Sequence, residues 1–192
     1  VAGVMRPQSK YVKKYELKDY SDDSIIKINT NGEILYNKSV SEILIENNIL
    51  PDNFALTSFI SGLDDPIHLN DIEPAFSDTK YWKKGDVFLS SRHKSAIIHY
   101  RPSNNKVINY ITGPFAQQHD VDIISDNEIS IFNNNNFVID NEYSDIVIYN
   151  FDTGKFRKLF NAQLKKENFK TGSGGLHHIL NDGSLMVEEQ NH

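Results

Sequence analysis

A histidine that follows a Gly-Pro break is the strongest candidate for chemistry in this sequence. Gly113 and Pro114 interrupt the chain, and His119 stands at the mouth of the strand that the following residues predict. Along that strand His119 shares a face with Val121 and Ile123. An imidazole in this position can act as a nucleophile or a general base, although a lone histidine there is more often structural.

Two other polar constellations could handle an anion. His68 and Asn70 are two residues apart on a predicted strand, so both point to one side and can orient an oxyanion or a substrate oxygen. Arg92 ends another strand, on the face of Phe88 and Ser90, and its guanidinium can hold sulfate, phosphate or carboxylate through two bonds. The structural alternatives are a polar strand end for the first and a solvated hairpin turn for the second.

A glycine-rich segment, 172–175, precedes the adjacent histidines His177 and His178. Neighbouring residues on a regular strand point to opposite sides, so these two histidines cannot ligate one metal ion from such a strand. The glycines can form either an anion-binding nest or a flexible connection. Phosphate-loop, dinucleotide-binding, zinc-protease and EF-hand motifs are absent, and we expect neither a cofactor nor a metal.

The composition narrows the classes of function. The 192 residues include 20 basic and 26 acidic ones, for a formal net charge of -6, which argues against a dedicated nucleic-acid binder. The absence of cysteine excludes disulfides, thiolate metal sites and a cysteine nucleophile. No apolar run reaches the roughly 18 residues that a membrane-spanning helix needs. The 22 Ile and 21 Asn residues, against 6 Ala, favour strands and turns over helices.

The elements that position these residues are mainly short strands joined by turns rich in Asn, Asp and Gly. A capping box at Ser39–Glu42 predicts one helix that runs to Leu50 and ends before Pro51, and no other segment predicts a helix. The predicted strands are Ser24–Asn29, Glu33–Asn37, Ile67–Glu73, Asp86–Arg92, Ala96–Arg101, Lys106–Ile111, His119–Ile124, Glu128–Phe132, Asp145–Phe151, Lys155–Phe160, Gly175–Leu180 and Ser184–Glu189.

The order of the strands predicts an all-β fold, a β-propeller of four-stranded antiparallel blades. His68, His119 and His177 each open a predicted unit, and units of this size are typical of blades, with a sandwich or jelly roll as the alternative. About three blades' worth are present. We assign residues 1–192 to one partial propeller domain, which divides into an extended arm (1–23), an outer half-blade (24–37), a helix and connection (38–66), two blades (67–111 and 119–160) and an inner half-blade (173–192).

The predicted number of blades has a consequence for closure. A propeller ring contains roughly four to eight blades, so these segments alone would not close one. We expect the chain either to belong to a longer polypeptide or to complete its ring with another chain. The sequence begins Val1-Ala2-Gly3, and no apolar region of a signal peptide is visible.

The stretch from Pro66 to Asn136 resembles the arylsulfotransferase (arylsulfate sulfotransferase) family of β-propellers. The matching segments read HLNDI, GDVFLSSRHKSAI, NYITGPFAQQHDVDI and ISIFNNN, and their order is specific in combination. The Asn31-Gly32 hairpin and the segment GLHHILNDGSLMVEE match more loosely as flanking blades.

The resemblance implies a six-bladed propeller with a central-channel active site and transfer of a sulfuryl group from a phenolic sulfate ester to a phenol, without a nucleotide sulfate donor. It also implies that His119 is the nucleophile and becomes transiently sulfated. By the same resemblance, His68 protonates the leaving phenolate and later deprotonates the acceptor, while Arg92 and Asn70 stabilise charge on the sulfuryl oxygens.

Further expectations concern the partners and the location. His93, Gln118, His177 and His178 are predicted to contact the substrate. The expected partners are an aryl sulfate and a phenol acceptor, with no nucleic acid and no membrane span in this chain. Relatives with this chemistry are mostly exported, which implies a periplasmic or otherwise extracytoplasmic location. The alternative function is a non-catalytic propeller module that binds sulfated or acidic glycans or a protein partner.

Overall fold

The computed structural model describes residues 22–49, 65–136 and 143–189, and these residues form an all-β structure with antiparallel four-stranded sheets. None of the helices in those ranges is long and apolar enough to cross a membrane. Each predicted strand has a counterpart, whereas the extended arm predicted at 1–23 lies almost wholly outside the described residues. The strands are β1 Ser24–Ile28, β2 Ile34–Ser39, β3 Leu69–Pro74, β4 Val87–Ser91, β5 Ala96–Arg101, β6 Lys106–Ile111, β7 Val121–Ile123, β8 Glu128–Asn133, β9 Asp145–Asn150, β10 Lys155–Leu159, β11 His177–Ile179 and β12 Leu185–Val187, and the helices are α1 Val40–Glu46 and α2 Asn161–Lys166.

The first of two compact units comprises residues 1–68 and 105–107, and its described part contains the β1–β2 hairpin and α1. The hairpin turns as predicted at Asn31-Gly32, where the Asn29 side-chain oxygen accepts the backbone N–H groups of Asn31 and Glu33. Helix α1 begins as the capping box predicts, because the Ser39 hydroxyl accepts the backbone N–H of Glu42 at 3.0 Å.

The second unit comprises residues 69–104 and 108–192 and contains the two four-stranded sheets. Their strand orders are β3-β4-β5-β6 and β10-β9-β8-β7, and β11 and β12 form a separate antiparallel hairpin. Two apolar clusters lie among the described residues of this unit, and β9 contributes to both. Val147 lies in a cluster with Trp82 and Phe88, while its neighbours Ile146 and Ile148 lie in the other cluster. Burial on both faces explains why β9 has a continuous apolar sequence rather than an alternating one.

A β-bulge occurs at the same place in both four-stranded sheets. In the first sheet the pairing passes from Leu69 to Asp71 and skips Asn70. In the second sheet His119 and Asp120 both bond to Phe132, so His119 is the additional residue. The register therefore aligns Asn70, rather than His68, with His119.

The histidines that were expected to open successive units thus occupy different structural positions. The Asp71 carboxylate accepts the backbone N–H of Val121, and the Asp120 carboxylate accepts that of His177, so His177 corresponds to Val121 and not to His119. The expectation that the three histidines occupy one recurrent position is wrong. A spacing counted along the sequence does not reveal that a bulge adds a residue to the strand.

The expectation of a single helix is also wrong, because α2 follows β10 as α1 follows β2. Helix α2 lacks a side-chain cap: Phe160 precedes it in a left-handed conformation, with φ 50°. Leu164 is its single buried residue, so the apolar periodicity is too weak to predict a helix. Both helices end alike, since Asn48 and Asn168 have positive φ.

Side-chain carboxylates connect β3 and β7, which are edge strands of the two four-stranded sheets. Asp71 and Glu73 of β3 accept the backbone N–H groups of Val121 and Ile123, at 3.1 and 3.4 Å. Burial, reinforced by the other nearby carboxylates, raises the pKa of Asp71 to about 6 and that of Glu73 to about 7, although the N–H donors oppose the shift. When the carboxyl groups of Asp71 and Glu73 ionise, burial therefore makes their negative charge unfavourable.

We expect Glu73→Gln to stabilise the protein at pH 8. The folded-state pKa of Glu73 lies above the ordinary value of 4.5, so the wild type loses stability as the pH rises from about 4.5 to about 7. Glutamine remains neutral and still offers an oxygen to Ile123. Thermal unfolding should show a gain in Tm at pH 8 that shrinks towards pH 4.5. A shift of equal size at every pH would contradict this account, and Glu188→Gln, at an exposed carboxyl, is the control.

Candidate active site around His119

The bulge before β7 presents His119 at the edge of the second sheet. The backbone N–H of His119 donates to Phe132 and the carbonyl of Asp120 accepts from Phe132, both at 3.0 Å. The extra residue turns the His119 side chain out of the regular alternation of the strand. His119 is half-buried, and its ring contacts two other segments of the second unit.

Both ring nitrogens of His119 have a hydrogen-bond partner. The backbone N–H of Gly174 donates to Nε2 at 2.9 Å, and Nδ1 lies 3.2 Å from the side-chain oxygen of Asn134. A backbone amide can only donate, so Nε2 carries a lone pair and no proton. A neutral imidazole with a free-base Nε2 has the protonation state that a nucleophile or general base requires.

The segment that contacts Nε2 is the glycine-rich one, and its backbone needs glycine. Gly174 and Gly175 have φ of 77° and 99°. A Cβ on Gly175 would come within 2.6 Å of the Phe132 ring, so the backbone lies directly against that side chain. Phe132 is also the residue opposite His119 in the bulge, so the same residue bonds to His119 through its backbone and limits Gly175 through its ring.

We expect Gly175→Ala to displace the segment and remove the Gly174–His119 hydrogen bond. The control is Gly183→Ala, because Gly183 also has a positive φ, of 84°, but a Cβ there meets nothing within 4 Å. Both variants should lose stability from backbone strain. The amide resonance of Gly174 and the ring resonances of His119 should change in Gly175→Ala only. Equal changes in the two variants would show that packing on Phe132 does not hold the segment.

Arg92 lies in one 3-10 turn, Arg92–Lys94, that follows β4. One guanidinium nitrogen is 3.1 Å from Nε2 of His93, and another donates to the side-chain oxygen of Gln117 at 3.1 Å. Guanidinium groups only donate, so Nε2 of His93 accepts. The same Gln117 oxygen accepts from Asn136, which also donates to the carbonyl of Gly172. These bonds connect Arg92 to the glycine-rich segment that covers His119.

Asn70 and Gln118 fix the chain immediately before His119. The Asn70 amide donates to the carbonyl of Gln118 at 3.3 Å. Gln118 is fully buried, and its amide nitrogen donates to three oxygens of the first sheet, including the Ser90 hydroxyl. Its predicted contact with substrate would require that this amide be uncovered, and remains a prediction.

His68 belongs to the first unit and lies one residue before β3. Its ring Nδ1 lies 2.5 Å from the carboxylate of Asp65, which also accepts the His68 backbone N–H at 3.0 Å. A carboxylate on Nδ1 orients an imidazole in the way that a general acid or base needs. The expected association of His68 with His119 remains a prediction.

Comparison with known families adds to this geometry. A family model described as Arylsulfotransferase (ASST) matches residues 3–192, nearly the whole chain. The chain belongs to this arylsulfotransferase family. The resemblance drawn from residues 66–136 is therefore confirmed and extends far beyond them. No curated protein and no solved structure matches the chain.

In this arylsulfotransferase family member, His177 and His178 point to opposite sides of β11, as strand alternation predicts. His177 is buried, with Nδ1 2.6 Å from the Asp120 carboxylate and Nε2 2.7 Å from the Ser130 hydroxyl. This is the connectivity of a hydrolase triad, but Ser130 is fully buried and leaves no place for a substrate carbonyl. The three residues connect β11 to β8 and to the residue that directly precedes β7.

The ligand atoms of Asp120, Asp122 and His177 lie within 4.8 Å of one another, the distance at which three such groups could hold an ion. Both ring nitrogens of His177 are already engaged. Burial raises the pKa of Asp122, against the effect of His177, and the neighbouring Asp120 raises it further. The exposed His178 lies 3.7 Å from Asp122.

Two other features of the arylsulfotransferase family member lie in the second unit. Burial lowers the pKa of Lys94, in the turn after Arg92, to about 8, so it titrates where a proton carrier would. In the sequence, the one indication of a role for Lys94 is its position beside Arg92 and His93. A solvated turn would have the same residues. The second feature is an open concavity of about 430 Å³ along β11 and β12, lined by Asp120, Leu176, His177, His178, Met186, Val187 and Glu188.

Proposed function

We propose that this protein transfers a sulfuryl group from a phenolic sulfate ester to a phenol, with His119 as the covalent nucleophile. The observation that carries the proposal is the state of the His119 ring, whose Nε2 accepts the Gly174 N–H and therefore holds a lone pair. Membership of the arylsulfotransferase family supports aryl sulfates and phenols as substrates.

The reaction takes place in two displacements at sulfur. In the first, the Nε2 lone pair of His119 attacks sulfur, the bond from sulfur to the aryl oxygen breaks, and its electron pair leaves on the phenolate. Phenols titrate near pH 10, about the tyrosine value, so phenolate is a tolerable leaving group. In the second, the oxygen of the acceptor phenol attacks sulfur, and the electron pair of the sulfur–nitrogen bond returns to Nε2.

Neighbouring groups have separate roles in this proposal. Arg92 and Asn70 stabilise the sulfuryl oxygens, where charge redistributes as the bonds exchange. His68 gives a proton to the leaving phenolate and later removes one from the acceptor. The Gly174 N–H must leave Nε2 before attack, and in this proposal it then donates to a sulfuryl oxygen.

We also propose that the four-stranded sheets are blades of a six-bladed propeller. Two similarities support it: β1–β2–α1 follows the pattern of β9–β10–α2, and both complete sheets have the same bulge. In this proposal β1–β2 is an outer half-blade and β11–β12 an inner one, and the ring is completed by more of the same polypeptide or by another chain. We propose an extracytoplasmic location as well, by the same resemblance to exported relatives that gave the expectation.

We expect the protein to release nitrophenolate from p-nitrophenyl sulfate when phenol is the acceptor. His119→Asn should lower the rate by roughly three orders of magnitude or more, because the covalent route is lost. Intact-mass measurement without acceptor should find one added sulfuryl group on the wild type and none on the variant. His192→Asn makes the same exchange at a histidine without an assigned role. Full transfer by His119→Asn would overturn the assignment.

A folded wild-type protein that released no nitrophenolate would favour the binding-module alternative. Titration with a sulfated oligosaccharide then distinguishes a module that retains the ligand from a fold with neither activity.

We expect Arg92→Lys to lower kcat/KM by roughly 10- to 100-fold, because lysine keeps the charge but cannot donate through a rigid fork. Arg157→Lys is the matched control, since Arg157 is largely exposed on β10 and pairs with Glu128. Steady-state kinetics on both variants measure the effect. An unchanged kcat/KM in Arg92→Lys would remove Arg92 from the reaction.

A further inference from the structure

We propose that Asn134 is a positioning residue that holds His119 in the tautomer with the proton on Nδ1, and so makes Nε2 the nitrogen that receives the sulfuryl group. Asn134 directly follows β8 and is 2 % exposed. Its consequence for catalysis rests on the proposed function, whereas its effect on the ring does not.

The contacts of Asn134 fix the orientation of its amide. The amide nitrogen donates to the carbonyl oxygens of Thr171 and Gly174, both at 2.9 Å. Carbonyl oxygens only accept, so this end of the side chain must be the NH₂ group. The opposite end is an oxygen, and it lies 3.2 Å from Nδ1 of His119. An oxygen with no hydrogen can be satisfied there only by an Nδ1 that carries the proton.

A second constraint acts on the other ring nitrogen and leads to the same tautomer. The Gly174 N–H donates to Nε2, which excludes a proton on that atom. Gly174 therefore donates to His119 with its N–H and accepts from Asn134 with its carbonyl, so the three residues form a closed set of hydrogen bonds. Moving the ring proton to Nε2, or reversing the amide, would oppose two donors or two acceptors within it.

The set is held in place from behind. The Ser144 hydroxyl bonds to the carbonyls of Asn134 and Thr171 at 3.3 Å and accepts the backbone N–H of Thr171 at 3.0 Å. Ser144 and Thr171 are fully buried, so these bonds are shielded from water. A rigid partner is what orients a reactive imidazole, because a mobile one would accept either tautomer.

The chemistry of the proposed reaction gives this tautomer a purpose. When the Nε2 lone pair forms the bond to sulfur, the ring gains a positive charge while Nδ1 keeps its proton. The Nδ1–H bond to Asn134 is then a bond from a cationic donor, which is stronger than the neutral one before attack. A contact that strengthens as charge develops accelerates the step, since it favours the transition state over the ground state.

Nitrogen-15 NMR of the histidine rings tests the effect on His119 without any activity. In the wild type the ring should show a protonated Nδ1 and an unprotonated Nε2 at a pH where it is neutral. In Asn134→Ala the Gly174 carbonyl also loses its donor, which loosens the Gly174 N–H contact with Nε2, and the two tautomers should mix. Asn135→Ala is the matched control, because Asn135 is a buried neighbour whose amide donates to Tyr143 rather than to His119. An unchanged His119 tautomer in Asn134→Ala, or an equal change in Asn135→Ala, would overturn the proposal.

Kinetics test the consequence. Asn134→Ala should lower kcat by about 10- to 100-fold with little change in KM, the usual range when a partner that orients an imidazole is removed. Asn134→Asp should recover part of kcat only where its carboxyl is protonated, because the O–H then donates towards the carbonyls of Thr171 and Gly174 while the other oxygen accepts from Nδ1. A structural role alone would not show this pH-dependent rescue. A wild type with the predicted tautomer but no transfer would refute the proposed function and leave the role of Asn134 on the ring intact.

Discussion

The carboxylate of Asp120 is the contact on which the arrangement around His119 depends. One oxygen accepts both the backbone N–H and the ring Nδ1 of His177, at 2.8 and 2.6 Å, and it does so within the buried part of the second unit. Charge-assisted bonds of this kind are about twice as strong as neutral ones. Because Asp120 adjoins His119 in the chain, this bond fixes β11 relative to the candidate nucleophile, and the position of β11 determines where the preceding glycine-rich segment can lie.

Hydrogen bonds between polar groups and apolar packing both stabilise the second unit, and Phe132 takes part in both. Phe132 belongs to an apolar cluster with Ile146 and Phe169, yet its backbone bonds to both residues of the bulge and its ring limits Gly175. An apolar residue thus sets the distance between two polar segments. The many asparagines have a structural role as well. Several of their side chains donate hydrogen bonds to backbone carbonyls that lie outside the strand pairing.

Strand positions could be predicted from the sequence because short apolar runs between Asn, Asp and Gly turns leave few other choices. Helix α2 could not, since it lacks a capping side chain and buries one residue. The role of Asn134 could not be predicted from the sequence. It is one of four consecutive asparagines, which differ only in the groups that their side chains contact. Asn133 binds the N–H of Ala116 and the carboxylate of Asp145, whereas Asn134 faces His119. The bulge and the position of β11 determine which groups these side chains contact. Neither feature can be predicted from a sequence pattern.

The hydrogen bond from the Gly174 N–H to Nε2 also sets the free energy that is needed to uncover His119 in the absence of a ligand. A neutral hydrogen bond contributes about 1 kcal/mol net, which corresponds to roughly a fivefold preference for the covered state. Uncovering His119 therefore needs only a small part of the binding energy of any ligand that fits. Between encounters the lone pair is directed at an amide proton, so an electrophile that enters without binding meets an occupied nitrogen most of the time.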